Sequence, residues 1–333
     1  MKRLLFALGF TGLGLFVSVA TAFAQGGTAI GGFPPQSDLY GDAVLLARVL
    51  PFMIALGIGF GIWQAKLRLT ERKSSPDSPT VIRHDWGSVI QHWTNGLGFI
   101  AGMITGFMIL RWLPYPSDVR SIFAIHYIGS AFVLFGVASH LAQHVITGGA
   151  GLIPRRFKDV TEALGELTEY AGFYGPDGAA FRLNLPKGIR SAIGETFRSF
   201  GIRPPKQLGK YLPAEKVLSY APWAIIITVM VVTGLIKSFR YLYPIPPTFI
   251  ATMSTLHDLS AYASVFMLAM HLFAVLLIPR HWPLLKSMFT TRISRKFVEK
   301  YHPLWFKDLV AKEQASSFVA PAASVAKPAQ TKA

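Results

Sequence analysis

The chain has 333 residues, of which 51% are hydrophobic and 15% are charged, a balance that excludes a large soluble domain and indicates a polytopic membrane protein. It has no cysteine, which excludes iron–sulfur clusters, disulfides and a thioether-linked c-type haem within this chain. The net charge of +16 comes from Lys and Arg clustered between apolar segments, so membrane topology explains it better than a nucleic-acid partner does, and we expect none.

The first element predicted in chain order is a secretory signal at residues 1–24. Two basic residues precede an apolar run that ends in the small-x-small sequence Ala22-Phe23-Ala24. We expect cleavage before Gln25, because the following segment is rich in Gly and Pro. The alternative is an uncleaved anchor, since the run is also long enough to span a membrane. In both cases Gln25 lies on the periplasmic side.

Five further apolar segments are long enough to form transmembrane helices, at residues 42–64, 88–113, 121–146, 222–243 and 251–278. The sequence therefore predicts an all-α integral membrane protein, with a four-helix bundle preceded by one additional N-terminal helix. We assign 25–87 to a periplasmic N-terminus, this extra helix and a basic linker. Residues 88–312 form the bundle, with a long cytoplasmic loop at 148–216, and 313–333 form a disordered tail.

The charges of the connecting segments predict the orientation of the helices. Lys and Arg number five in 66–83, eleven in 155–216 and eight in 280–312, but one in 114–120 and none in 244–250. By the positive-inside rule the three basic segments are cytoplasmic and the two short turns are periplasmic. We therefore expect a multi-pass protein of the cytoplasmic (inner) membrane with a periplasmic mature N-terminus and a cytoplasmic C-terminus.

Histidines recur at equal intervals in two of the predicted spans. His126 and His140 are fourteen residues apart, as are His257 and His271. Fourteen residues of α-helix make nearly four turns and about 21 Å, so each pair lies on one face and reaches both halves of a bilayer. Because a buried imidazole in lipid needs a partner, the pattern predicts two b-type haems, each with its iron held by two histidines.

The ligands of the cytoplasmic haem stay open on geometry alone. His126 and His257 fall at one depth and are the expected pair there, while His271 could face either His140 or His92, which starts its own span. His140 also has i, i+4 spacing with His144, a spacing that zinc could use, although one buried and one interfacial residue is the simpler interpretation.

Several weaker features accompany these histidines. Thr105-Gly106 and Thr233-Gly234 occupy similar late positions in two spans, an echo that suggests paired helical hairpins. Gly129 and Gly136 leave room either for a macrocycle or for a neighbouring helix. We expect His302 to be exposed to solvent, because it lies in a polar segment.

From Val89 onward the chain resembles the cytochrome b (gamma) subunit of respiratory formate dehydrogenase, which is grouped with the cytochromes b of hydrogenase and thiosulfate reductase. The resemblance rests on four stretches. These are His92-Trp93 with Thr105-Gly106 in one span, Gly209-Lys210-Tyr211 with Glu215-Lys216, the His257-to-His271 interval, and Arg292-Ile293-Ser294-Arg295-Lys296 leading to Tyr301-His302-Pro303-Leu304-Trp305-Phe306-Lys307.

The resemblance implies a specific ligand set. In that family the histidines matching His126 and His257 hold the periplasmic haem, and those matching His92 and His271 hold the cytoplasmic one. It therefore favours His92 over His140, which remains the alternative.

The resemblance also implies a quinone site, with Glu215 and Lys216 as candidate contacts. The family has an Asn and a Gln where this chain has Leu212 and Glu215, and a carboxylate can take or release a proton where an amide cannot. Lys216 has an alternative role as an interfacial anchor.

The implied function is that of an electron-transfer subunit without substrate chemistry beyond quinone reduction. Its implied partners are a periplasmic iron–sulfur subunit, a molybdenum or tungsten catalytic subunit, and a pool of menaquinone or ubiquinone used in anaerobic respiration. Three alternatives remain: a quinol-oxidising cytochrome that feeds a thiosulfate-type reductase, a cytochrome that accepts electrons from a hydrogenase, and a metal or proton-coupled transporter.

Overall fold

The computed structural model describes residues 38–70, 76–114, 119–148, 151–175, 179 and 185–319. The predicted signal segment and the predicted tail beyond residue 319 lie outside the described residues. The predicted tail starts at 313, whereas the last described helix continues to Val319.

Helices dominate the described chain, in the following order: α1 Asp38–Thr70, β1 Thr80–Ile82, α2 Trp86–Ile109, α3 Val119–Thr147, α4 Phe157–Tyr170, α5 Lys187–Ser199, α6 Ala221–Phe239, α7 Pro247–Leu272, α8 Trp282–Thr290, β2 Arg292–Ser294, α9 Arg295–Tyr301 and α10 Pro303–Val319. A π-helical turn, Glu215–Tyr220, precedes α6, and another, Phe273–Leu277, follows α7. The prediction of an all-α membrane bundle is confirmed.

Four helical stretches are long and apolar enough to cross a membrane: Ala43–Leu67, Arg120–Thr147, Glu215–Phe239 and Pro247–Leu277. They coincide with four of the five predicted spans. The fifth predicted span corresponds to α2, which has 24 residues but carries Gln91, His92 and Asn95 in its first half. α2 is not among the four stretches that are long and apolar enough to cross a membrane.

The described residues fall into two compact units. The first contains α1, α2, α3, α6 and α7, and α3 packs against both α1 and α2 while α6 packs against α7. Glycines allow the close approaches of α3: a Cβ added to Gly57 of α1 would overlap the backbone of Phe135, and one added to Gly98 of α2 would meet the carbonyl oxygen of Gly129. Small residues commonly serve this purpose in membrane helices.

A buried polar network joins three helices of the first unit. The Gln91 side-chain amide on α2 donates to Gln64 Oε1 on α1 and to Ser139 Oγ on α3, both at 2.6 Å. Gln64 Nε2 in turn donates to Asp85 Oδ1 at 2.6 Å. Hydrogen bonds of this kind satisfy polar groups that would be costly to leave unpaired in an apolar interior. The additional N-terminal helix is therefore packed onto the bundle.

The second unit contains β1, α4, α5, α8, β2, α9 and α10. Its two strands pair antiparallel, with Val81 opposite Ile293. These two residues form a buried cluster with Val298 of α9 and Trp305 of α10. The segment predicted as a long loop at 148–216 thus contains two helices, α4 and α5.

Candidate functional site

Two histidines from α3 and α7 face one another within the first unit. The ring centroids of His126 and His257 are 6.4 Å apart. Each imidazole carries two nitrogens, and the orientation of each ring depends on what holds the nitrogen that faces away from the pair.

A threonine holds each of these two imidazoles through Nδ1. Thr105 Oγ lies 3.0 Å from His126 Nδ1, and Thr233 Oγ lies 2.9 Å from His257 Nδ1. Each hydroxyl also donates to a carbonyl oxygen one turn earlier, so its own hydrogen is committed and its oxygen accepts from the imidazole N–H. Nε2 of both histidines is left as the nitrogen with a free lone pair, which is the form that binds a metal.

The glycine after each threonine lies against the imidazole of the neighbouring helix. A Cβ at Gly106 would lie 3.5 Å from His126 Cε1, and one at Gly234 would lie 3.3 Å from His257 Cε1. The two Thr-Gly pairs of the sequence therefore make equivalent contacts, and the threonine of each pair positions a histidine on the neighbouring helix.

His126 and His257 both line a cavity. Its walls are mainly apolar, and it is lined by both histidines and by residues that include Phe99, Met103, Phe123, Leu134, Met230 and Val231. Lys237 and Arg240 line the same cavity. The cavity thus combines two imidazoles, apolar walls and two cationic side chains.

A second pair of histidines joins α2 and α7. The ring centroids of His92 and His271 are 6.3 Å apart, nearly the same separation as in the first pair. The His92 and Trp93 rings are also nearly perpendicular, with their centroids 5.4 Å apart. Fourteen residues of α7 separate the two levels, which is about 21 Å along a helix axis.

His140 lies in different surroundings. Its Nε2 is 3.1 Å from the Tyr220 hydroxyl, and its ring lies 6.1 Å from that of His144. Because a hydroxyl already occupies Nε2, the geometry favours His92 over His140 as the partner of His271. The ligand assignment itself stays a prediction. Among the described residues, no group of three or more His, Cys, Asp or Glu side chains could hold a metal ion, so the zinc interpretation gains no support.

Comparison with known protein families decides the class of this bundle. The profile of a family described as prokaryotic cytochrome b561 matches residues 83–291, which is more than half of the chain. The chain belongs to the prokaryotic cytochrome b561 family. No curated protein and no solved structure matched it. Proteins of this family are membrane proteins that bind b haem and take part in electron transfer.

Both histidine pairs of this cytochrome would suit a haem iron held by two imidazoles. An imidazole nitrogen binds a metal at about 2.0–2.1 Å and lies about 1.1 Å from its own ring centroid, so two imidazoles on opposite sides of one ion have centroids about 6.3 Å apart. The separations of 6.3 and 6.4 Å meet this requirement. At the His126–His257 level, Lys237 and Arg240 would suit the two carboxylates of a haem.

The two candidate quinone contacts lie at the start of the π-helical turn in the second unit. Glu215 is 34% exposed, its Oε2 accepts from the Leu212 N–H at 3.2 Å, and it pairs with the buried guanidinium of Arg83 at 3.6 Å. Arg83 therefore supplies the counter-charge for the Glu215 carboxylate. Lys216 is half-buried, and its N–H donates to the Leu212 carbonyl at 3.1 Å.

The prediction that His302 is exposed to solvent is wrong. Its side chain is 1% exposed, and His302 Nδ1 lies 2.7 Å from the Gly209 carbonyl oxygen. Burial lowers the pKa of His302 to about 4, so the ring is neutral at pH 7 and donates through Nδ1. Lys210 also lies over the Trp305 ring at 5.8 Å. Two of the stretches that carry the family resemblance thus pack against each other.

Replacing Thr233 with valine is expected to raise the midpoint potential of one haem. The loss of an acceptor at His257 Nδ1 makes the imidazole a weaker electron donor, which destabilises the ferric state, and second-shell changes of this kind typically cost about 10–100-fold in metal affinity. A redox titration followed by haem absorbance measures the shift. Thr228→Val, on the same helix, is the control, because Thr228 is exposed and its hydroxyl donates to the Ala224 carbonyl of its own helix. Equal potentials in both variants would contradict this role for Thr233.

Proposed function

We propose that this chain is the membrane cytochrome b subunit of a respiratory formate dehydrogenase-type complex. It would accept electrons from a periplasmic iron–sulfur subunit that serves a molybdenum or tungsten catalytic subunit, and carry them through two b haems to quinone. Bound haem supplies the one-electron redox chemistry, and the protein supplies the four ligands His126, His257, His92 and His271.

The observation that carries the proposal is the repeated separation of the two histidine pairs. Imidazole rings 6.3 and 6.4 Å apart at two levels of one bundle suit two metal centres on a single path, whereas one buried pair alone would suit a local structural role. Membership of a family of b-haem electron-transfer proteins supports the same function. The four quoted sequence stretches support a partner of the formate dehydrogenase type.

The proposed topology makes the reaction generate a membrane potential. Electrons would enter at the His126–His257 level on the periplasmic side and leave at the His92–His271 level on the cytoplasmic side. Quinone reduction at that side consumes protons from the cytoplasm. Moving one charge across the membrane stores about 2.3 kcal/mol per 100 mV of potential.

The test is to purify the complex from native membranes through a tag on this chain and to follow haem absorbance. Formate is expected to reduce both haems, and a water-soluble menaquinone or ubiquinone analogue is expected to reoxidise them. Dithionite reports the total reducible haem in the same sample. Haems reduced by quinol but not by formate would overturn the proposal in favour of a quinol-oxidising cytochrome that feeds a periplasmic reductase.

A further inference from the structure

A buried chain of three proton-carrying groups lies in the second unit. Glu166 and Tyr170 are one turn apart on α4, and each is only 2% exposed. The Tyr170 hydroxyl is 2.7 Å from Glu166 Oε1 and 3.1 Å from His281 Nε2. At the far end, Glu166 Oε2 accepts from the Ala214 N–H at 3.0 Å. The three side chains therefore form a continuous chain from a half-buried imidazole to a fully buried carboxyl group.

The number of hydrogens in this chain is informative. His281 Nδ1 is 2.9 Å from the Ala274 carbonyl oxygen, which can only accept, so Nδ1 carries a hydrogen. With a neutral imidazole and an ionised Glu166, the Tyr170 hydroxyl has one hydrogen for two contacts that each need one. Both hydrogen bonds of Tyr170 can form only when the three side chains hold one additional proton, either as a carboxylic acid on Glu166 or as an imidazolium on His281.

Tyr170 connects these two loaded states. When Glu166 is a carboxylic acid, it donates to the tyrosine oxygen and the hydroxyl donates to His281 Nε2. When His281 is charged, it donates to the tyrosine oxygen and the hydroxyl donates to Glu166. Moving one hydrogen across each of the two contacts converts one state into the other without leaving a polar group unpaired.

We propose that His281, Tyr170 and Glu166 form a proton relay: His281 takes a proton from water at Nε2 while its contact with the Tyr170 hydroxyl is open, the closed contact passes a proton on through Tyr170, and Glu166 releases one beside the Ala214–Glu215 segment for quinone reduction. This inference rests on the proposed function. Quinone takes up two electrons, which the reduced cytochrome supplies, and two protons to become quinol. The relay holds one proton at a time, so two passages accompany each quinol formed.

The charges around Glu166 suit it to both loading and unloading. The pKa of Glu166 is raised to about 7, chiefly by burial and also by the negative charge of Glu215, against the opposing effects of the Ala214 N–H, the Tyr170 hydroxyl and the positive charge of Arg280. A proton carrier works best when its pKa lies near the working pH.

The surroundings of His281 disfavour its protonated form, so His281 holds the proton only for a short time. Burial lowers the pKa of His281, as do the positive charges of Arg280 and Arg83, whereas its bond to the Ala274 carbonyl and the charge of Glu215 raise it. His302 is neutral at pH 7, and Glu169 is half-buried on α4. The loaded proton therefore rests on Glu166, and Glu215 acts on both ends of the relay.

The experiment uses the full chain purified with its b haem, reduced with dithionite and mixed with a water-soluble quinone in a stopped-flow spectrometer. Glu166→Gln and Tyr170→Phe are each expected to slow haem oxidation by about 100-fold, the lower range for general acid–base groups. Tyr170→Phe keeps the buried ring and removes only the hydroxyl. Glu162→Gln, one turn earlier on α4, is the control, because Glu162 pairs with exposed Lys158 and lies outside the relay.

The pH dependence separates a relay from a structural contact. In wild type the rate is expected to fall as the pH rises through about 7, because the acid form of Glu166 is lost, and Glu166→Gln is expected to remove this dependence. Infrared spectra should show a protonated-carboxyl band that titrates over the same range, absent from Glu166→Gln only.

Unchanged rates and pH profiles in both relay variants, with haem content equal to that of Glu162→Gln, would overturn the relay while leaving quinone reduction intact. Wild-type protein whose haem is not oxidised by quinone would overturn the proposed function, and the relay with it. The two failures are therefore distinguished by the wild-type trace.

Discussion

Replacing His92 with alanine is expected to reduce the haem content of the purified chain from two b haems to one, whereas His140→Ala is expected to leave both. The His92 ring lies 6.3 Å from His271, a separation that suits a shared iron, while His140 Nε2 contacts the Tyr220 hydroxyl. An iron that loses one of two axial imidazoles loses most of its attachment to the protein. Pyridine haemochrome quantitation per chain measures the change.

His140→Ala is also the matched control for this experiment, since both substitutions remove an imidazole that contacts another aromatic ring of the same unit. One haem lost in His140→Ala and none in His92→Ala would leave a dihaem cytochrome but reverse the assignment. No haem in a well-folded wild-type preparation would contradict both the ligand set and the electron-transfer function.

Helical periodicity carried the prediction of the histidine levels but could not identify every partner. Equal fourteen-residue intervals place His257 and His271 on one face of α7, because α-helix geometry is regular. The interval does the same for His126 and His140, so symmetry alone suggests that His140 faces His271. Which histidine faces His271 depends on how α2 and α3 pack against α7, and the periodicity of a single helix carries no information about that packing.

The role of the threonines that contact the imidazoles could not be predicted from the sequence, for a different reason. Thr105-Gly106 and Thr233-Gly234 were visible as an echo, but threonine and glycine are common wherever membrane helices approach closely. Their role follows only when each hydroxyl is seen 3.0 and 2.9 Å from a histidine Nδ1 on the next helix. Gly129 gives the converse result: a Cβ there would lie 2.7 Å from the Gly98 carbonyl oxygen, so it serves helix packing.

The second unit was the least predictable part of the chain. Its segments are basic and polar, which favours the interpretation of solvated loops, yet Val81 and Ile293 pair across strands far apart in sequence. His302 and Glu166 are also buried in this unit, although neither lies in an apolar run. Neither the composition nor the spacing of residues in this part of the sequence could therefore predict the proposed relay.

Replacing His257 with alanine is expected to stop formate-driven quinone reduction completely, although the remaining haem still reacts with dithionite. Fourteen residues, about 21 Å of helix, separate His257 from His271, and electron tunnelling slows steeply with distance. Without a haem at the first level, electrons from a periplasmic donor would have to cross that distance in one step. The measurement compares formate-to-quinone turnover of the purified complex with the haem reducible by dithionite.

His144→Ala is the control, because His144 lies near the end of α3 beside His140 and outside both facing pairs. His126→Ala should reproduce the loss caused by His257→Ala, since both imidazoles are needed to hold the same iron. If His257→Ala lost one haem but kept wild-type formate turnover, electrons would have to enter at the His92–His271 level. That result would place the donor on the opposite side of the membrane and would contradict the proposed direction of electron flow.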